Sequence, residues 1–386
     1  MVSRVKQLAV YALSPLLLLF SVGQLAHAED AHASGWSLLN MPQGVTGVSN
    51  DIYDLHMTVV WICVWISVVV YGVMFYSMFA HRKSKGYKAA NFHESTTVEL
   101  LWTILPVLIL VWVAFPSTKS LIELYDTSEA DIDIKITGYQ WKWQYEYLGE
   151  GVEFMSELTT SESAIYNETP KTQYYLSEVS EPLVLPVGKK VRFLITAKDV
   201  IHSWWVPDLG VKRDAVPGFI NETWAKIDEP GIYRGFCAEL CGKGHAFMPV
   251  VVNALPEAEY DAWLAEKKVA AAAEREMAKK TFTLEQLMVK GEAAYNRSCA
   301  ACHMANGEGI PGAFPGLKGS AIALGPVAEH LDAVVNGVSG TAMQAFGGQL
   351  SEVDLAAIIT YERNAWGNDV GDMVQPLDVL KFKQGQ

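Results

Sequence analysis

Cys237-Ala238-Glu239-Leu240-Cys241-Gly242-Lys243-Gly244-His245-Ala246-Phe247-Met248 sets two thiols, an imidazole and a thioether within twelve residues. Thiolate, imidazole and thioether together are ligands for copper in electron transfer. Two thiolates can bridge two copper ions. Each copper then takes one histidine, with Met248 and a backbone carbonyl as weak outer ligands. His202, about one strand and loop upstream, can supply the second imidazole. Charge shared over two metals changes bond lengths little on reduction, so electron transfer needs little reorganisation. Gly242 and Gly244 let the loop close tightly. From these residues alone the alternatives are a single-metal site or a Cys237–Cys241 disulfide, and neither accounts for the offsets of His245 and Met248.

The flanks of this loop read as short strands. Glu229-Pro230-Gly231 is a turn signal before Ile232-Tyr233-Arg234-Gly235-Phe236, and Val250-Val251-Val252 closes the series. Further upstream Ile132, Ile134 and Ile136 alternate with Asp133, Lys135 and Thr137, the period of a half-buried strand. Val191, Phe193 and Ile195 repeat that pattern, blurred by Leu194. Several short strands with turn punctuation predict an all-β sandwich. Residues 148–181 are polar and rich in glutamate and read as an inserted loop or hairpin.

Further out, toward the N-terminus, long apolar runs replace the alternation. One spans roughly Met57 to Phe79 and the next roughly Val98 to Phe115. Each is long enough to cross a hydrocarbon core of about 30 Å as a helix. The loop between them carries His81, Arg82, Lys83, Lys85 and Lys88, a basic cluster that stays on the cytoplasmic side. Both outer ends of the hairpin then face the periplasm. Glu99, at the start of the second run, reads either as an interfacial carboxylate or as a proton entrance for a neighbouring subunit. Residues 1–28 read as a signal peptide: Arg4 and Lys6, an apolar stretch, then Ala26-His27-Ala28. Cys63, alone in an apolar run, reads as an inert buried thiol. A net charge of −13 argues against nucleic-acid binding and suits the steering of a basic protein partner.

Beyond the sandwich, Glu266-Lys267-Lys268-Val269 and the alanines and charges up to Glu276 form a helix-favouring spacer. A new domain begins near Phe282. It holds Cys299-Ala300-Ala301-Cys302-His303, the c-type haem attachment pattern. The two thiols add to the haem vinyl groups, and His303 becomes the proximal iron ligand. Met343, in a loop before the amphipathic stretch from Ser351 to Asn364, is the expected sixth ligand. Met304 is too close to His303 to reach the opposite haem face, and Met373 lies beyond the helix. Ile310-Pro311-Gly312 and Phe314-Pro315-Gly316 are expected to wrap the haem edge.

Several strings resemble subunit II of cytochrome c oxidase: Asp199-Val200-Ile201-His202-Ser203-Trp204-Trp205-Val206-Pro207, Lys212-Arg213-Asp214-Ala215-Val216-Pro217-Gly218, and the Cys237–Met248 segment. The aromatic run Tyr139-Gln140-Trp141-Lys142-Trp143-Gln144-Tyr145-Glu146-Tyr147 and the helix string Val98-Glu99-Leu100-Leu101-Trp102-Thr103-Ile104-Leu105-Pro106 are similar to that family too. The resemblance covers roughly Trp36 to Trp263, and the C-terminal part resembles a small class I cytochrome c. The whole order resembles subunit II of caa3-type oxidases.

The resemblance implies a transmembrane hairpin (helices about 55–80 and 97–117 within 29–118), a cupredoxin-like β-sandwich over 119–265, a linker over 266–281 and an all-α cytochrome c domain over 282–386. It implies binuclear copper, CuA, held by His202, Cys237, Cys241, His245 and Met248 and by the Glu239 carbonyl. The Glu239 carboxylate would reach a magnesium ion shared with subunit I. Trp141 would take electrons from a docked cytochrome, and Glu99 would mark the mouth of a proton channel. Asp199 and Asp214 match acidic positions near the docking face. Lys198 departs from the family, which often has an acid beside that aspartate, and Gln344 departs from the proline that often follows the ligand methionine.

The implied path runs from an external donor (cytochrome c or a quinol:cytochrome c reductase) to haem c, then CuA, then subunit I. There oxygen is reduced, coupled to proton translocation. The expected partners are oxidase subunits I and III and membrane lipid, and the expected site is the bacterial inner membrane with both redox domains periplasmic. A CuA-type nitric oxide reductase subunit would share most of these motifs. A copper-delivery protein would need a thioredoxin-like pattern, which is not seen, and would not need His245, Met248 or haem.

Overall fold

The computed structural model describes residues 40–88, 91, 93–338 and 340–385, so the expected signal peptide at 1–28 lies outside the described residues. The described residues divide into two compact units, one formed by those within 40–148 and 156–260 and the other by those within 149–155 and 261–385.

The first unit opens with two long helices, α1 (Gly47–Ala80) and α2 (Thr96–Tyr125). Thr46 and Ser49 form a capping box that starts α1. The most apolar 18 residues of each helix are apolar on every side, with a mean hydropathy of 2.3, and none of them is buried. A helix without a polar face needs an apolar environment all round, and here lipid must provide it. Cys63 is correspondingly exposed on α1 and not buried as expected, because a two-helix hairpin has no interior. The helices also extend past the residues that the apolar runs mark: α1 begins at Gly47 and α2 continues to Tyr125. Their extra turns stand on the sandwich. Thr46 Oγ1 donates to the Leu209 carbonyl at 3.0 Å, and Trp224 Nε1 donates to the Glu123 carbonyl at 3.1 Å.

The sandwich contains β1 (Ile132–Tyr139), β2 (Lys142–Tyr147), β4 (Leu183–Pro186), β5 (Lys190–Ala197), β6 (His202–Val206), β7 (Val211–Ala215), β8 (Asn221–Lys226), β9 (Gly231–Cys237) and β10 (Val250–Leu255); β3 (Val152–Ser156) begins the inserted region. In one sheet β2, β1, β5 and β8 lie side by side in that order, and in the other β4, β10, β9, β6 and β7. β1 runs parallel to β5, pairing Ile134 with Phe193 and Ile136 with Ile195. The alternation read from the sequence is the inward face of these strands: Ile134, Ile136, Phe193 and Ile195 are fully buried. Phe193 meets Trp204 of the opposite sheet with ring centroids 5.1 Å apart, and Trp204 Nε1 reaches the Tyr145 hydroxyl. Aromatic pairs of this kind fill the space between sheets.

The second unit is helical. α3 (Glu257–Ala278) continues unbroken through most of the expected linker, as its alanine content favours, and Lys268 pairs with Glu150. α4 (Leu284–Ser298) starts at a Thr283/Gln286 capping box. α5 (Val327–Val335), α6 (Glu352–Asn364) and α7 (Pro376–Lys383) follow. A core of Leu331, Val334, Leu355, Ile359 and Val379 joins α5, α6 and α7. The expectation of a one-sided amphipathic helix at α6 needs correction: every residue from Leu355 to Arg363 is buried, Glu362 and Arg363 included. Their charges are accommodated inside, Glu362 by His330 and Arg363 by Asp372.

Candidate metal centre and C-terminal cavity

At one end of the sandwich, β6 presents His202, β9 ends at Cys237, and the loop before β10 carries Cys241, His245 and Met248. The ligand atoms of His202, Cys237 and Cys241 all lie within 4.8 Å of one another, and all three residues are buried. The two Sγ atoms stand 3.8 Å apart and unbonded. Cys241 Sγ lies 3.6 Å from His245 Nδ1 and 3.5 Å from Met248 Sδ. The Glu239 carbonyl is 3.3 Å from Cys237 Sγ, while the residue itself is solvent-exposed. Every donor expected from the sequence thus converges on one spot.

The donor set fits copper. His202 Nδ1 is buried without a hydrogen-bond partner, while its Nε2 lies 2.8 Å from Asp199 Oδ1. A carboxylate on one imidazole nitrogen fixes the ring and leaves the other nitrogen for a metal. Burial works against a thiolate at Cys237, but the neighbouring His202 imidazole, the backbone and His245 more than offset it and lower that thiol. Burial and the nearby Cys237 charge push Cys241 up. Thiols bind metal as thiolates, so a bound cation favours loss of the proton that burial and a neighbouring charge hold on Cys241.

Trp141 lies over the loop. Its Nε1 donates to the Cys241 carbonyl at 3.0 Å, and Gln140 Nε2 donates to the same oxygen at 2.8 Å. A Cβ on Gly244 would stand 2.2 Å from the Trp141 ring, so only glycine permits this closeness. Gly138 plays the same part for His202, whose ring would be 2.9 Å from a Cβ there. No motif singles out Gly138, and a lone glycine in a strand is its one signal in the sequence. Glu99 is not brought to this site. It sits in the first turn of α2, where its carboxylate accepts from the Ser95 N–H at 3.3 Å.

In the helical unit, a cavity of about 420 Å³ is lined by Cys299, Cys302, His303, Pro315, Met343 and Phe346, among others. His303 Nδ1 donates to the Pro315 carbonyl at 2.8 Å, which orients the ring and frees Nε2 as a ligand. Met343 lines the cavity and packs on the core, while Met304 and Met373 are exposed and line no part of it. The Met343 loop is held by backbone bonds, Val338 N–H to the Met343 carbonyl and Phe346 N–H to the Val334 carbonyl, so it does without a proline at 344. Two thiols, a fixed imidazole and a thioether around one apolar cavity fit a covalently attached haem. The buried His330–Glu362 pair in the wall has no counterpart in any motif, being separated in sequence and ordinary in composition.

Comparison with known proteins places these features. The family model for the transmembrane domain of cytochrome c oxidase subunit II matches residues 34–120, and that for its periplasmic domain matches 132–255. The probable cytochrome c oxidase subunit 2 of Rickettsia bellii is 38% identical over 226 residues, which cover 58% of this chain and 82% of that protein. The chain belongs to the cytochrome c oxidase subunit II family. Subunit 2 of Aedes aegypti is 34% identical over 230 residues, covering 59% of this chain and 96% of that one. The crystal structure of the periplasmic domain of subunit II from Bradyrhizobium japonicum matches with 39% identity and a TM-score of 0.34, covering 37% of this chain and 98% of that one. Residues 286–361 match the family described as cytochrome c oxidase, cbb3-type, subunit III. This subunit II family member thus carries a fused cytochrome c domain, and its two domain families imply CuA and haem c. It is a membrane protein and part of an oxidase complex.

Proposed function

We propose that this chain takes electrons from an external donor, cytochrome c or a quinol:cytochrome c reductase, and delivers them to the oxygen-reducing centre of subunit I. The single observation that carries this reading is the convergence of His202, Cys237, Cys241, His245 and Met248 on one buried spot, with the unbonded sulfurs 3.8 Å apart. When bound, CuA and haem c supply the one-electron carriers.

The Cys237 and Cys241 thiolates, the His202 and His245 imidazoles, the Met248 thioether and the Glu239 carbonyl would hold the coppers. Asp199 holds the His202 ring in register. Trp141, bonded to the Cys241 carbonyl, offers an aromatic contact between an incoming electron and the centre. The exposed Glu239 carboxylate is available to a magnesium ion shared with subunit I, and Glu99 marks the mouth of a proton channel on the cytoplasmic side. Cys299 and Cys302 would carry the haem, and His303 and Met343 would hold its iron. Both redox domains lie on the periplasmic side of a bacterial inner membrane, beside subunits I and III. The functional boundaries are 29–118 for the membrane part after a signal peptide at 1–28, 119–265 for the copper domain, 266–281 for the linker and 282–386 for the cytochrome.

The test is an electron paramagnetic resonance spectrum of the purified complex, with copper counted per chain. The expected result is one unpaired electron shared by a pair of copper nuclei. A Cys237–Cys241 disulfide with no delocalised signal would overturn the reading.

A further inference from the structure

His330 and Glu362 meet in the wall of the haem cavity. His330 Nε2 donates to Glu362 Oε2 at 2.7 Å, and the side chains are 3% and 4% exposed. Both residues line the cavity, among Ala323, Val334 and Ile358. His330 Nδ1 is buried and has no hydrogen-bond partner. A buried ionisable pair adds little to stability compared with an apolar pair of the same volume. The arrangement therefore calls for another explanation.

We propose that His330 and Glu362 form a proton-binding site coupled to the haem, loaded when the haem is reduced and emptied when it is oxidised. This inference rests on the haem reading of the cavity. An electron placed on the iron adds one negative charge to a poorly solvated space, where charges act strongly on one another. Histidine is the side chain whose charge ordinarily changes between about pH 5 and 8. Nδ1 takes a proton from solvent as the electron arrives from the donor, and the imidazolium so formed is held against the Glu362 carboxylate. When the electron leaves for the copper centre, the proton returns to solvent, so each turnover balances.

The surrounding groups are not free to take this part. Asp372, whose charge reaches His330, is held below the usual carboxylate range chiefly by its hydrogen bond to Arg363. Arg363 is fixed by Asp372 and by the carbonyls of Ala323 and Gly325. Tyr295 of α4 is pushed far up by burial and by Glu362, so it stays neutral. On α7, Asp378 caps its own helix and Lys383 pairs with Glu352.

The test is a spectroelectrochemical titration of haem c in the purified full-length complex at a series of pH values. For the unaltered protein the midpoint potential should fall as pH rises, approaching a slope of about 59 mV per tenfold change in proton concentration, one proton per electron. The double variant His330→Leu/Glu362→Leu exchanges the pair for apolar groups and should keep the haem and the methionine–iron band but lose this slope. Glu362→Gln keeps a hydrogen-bond acceptor while removing the charge, and should raise the potential and move the sloping region to lower pH. A flat profile in the unaltered protein, or an unchanged profile in either variant, overturns the inference and leaves the haem in place. A complex without covalent haem overturns the haem reading and this inference together.

Discussion

At the scale of single residues, the two redox sites are separable by substitution. Met343 alone among the neighbouring methionines lines the haem cavity, so Met343→Ala should abolish the methionine–iron charge-transfer band while the haem stays attached through Cys299 and Cys302. Persistence of the band would assign the sixth position to another residue. Cys241 Sγ lies within 3.8 Å of three other donors, so Cys241→Ser should leave haem c reducible and stop electron flow beyond it. Rapid oxygen uptake by that variant would contradict the path. Asp372 offers a pH test. Its carboxyl in the folded protein lies below the ordinary value of 3.8, chiefly because Arg363 hydrogen-bonds to it. Such a group contributes stability that is present above the unfolded value and lost as pH falls through the folded one. Asp372→Asn should therefore cost on the order of 1 kcal/mol near neutral pH, limited by the exposure of Asp372, and the difference should shrink in acid denaturation curves. The ligand residues are legible in the sequence because fixed short offsets encode them. Gly138 and the His330–Glu362 pair act through space, across strands or helices, and no motif announces them, whereas Asp199 is visible three residues before His202 but not its hold on that ring.

Among the elements, the crossing of α4 over α6 is a close one. A Cβ on Gly291 would lie 2.2 Å from the Ala357 carbonyl and 2.6 Å from Tyr361 Cβ. Helix propensity alone predicts that Gly291→Ala gains about 1 kcal/mol. The obstacle is largely backbone and cannot swing away, so packing wins, and a net loss of about 1–3 kcal/mol is expected in denaturant titrations monitored through the haem absorption. A gain in stability would show that the helices can part without cost. The strands are readable in advance because Ile134, Ile136, Phe193 and Ile195 alternate with polar residues, and that period is the geometry of a sheet with one buried face. Helix ends are harder to read. Apolar runs measure contact with lipid, whereas α1 and α2 continue as hydrogen-bonded helix into the aqueous side. α6 misleads for the opposite reason: Glu362 and Arg363 look like surface residues until their partners are known.

For the whole molecule, the net charge of −13 predicts how a donor protein arrives. Its rate of association, measured by stopped-flow with a small basic cytochrome, should fall several-fold as ionic strength rises, because long-range attraction is screened. A rate indifferent to salt would mean that docking is governed by apolar contact. The attachment of the sandwich to its two membrane helices bears on the electron's onward transfer. Thr46 and Val45 fasten the start of α1 to Leu209 and Asp208, and Trp224 fastens the end of α2 at Glu123. A body on one stalk can swivel freely, but a body gripped by two can only rock about the line joining them. On the proposed path, a copper loop so held would keep a nearly constant gap to its acceptor, and tunnelling, which decays steeply with gap width, should respond little to thermal jostling.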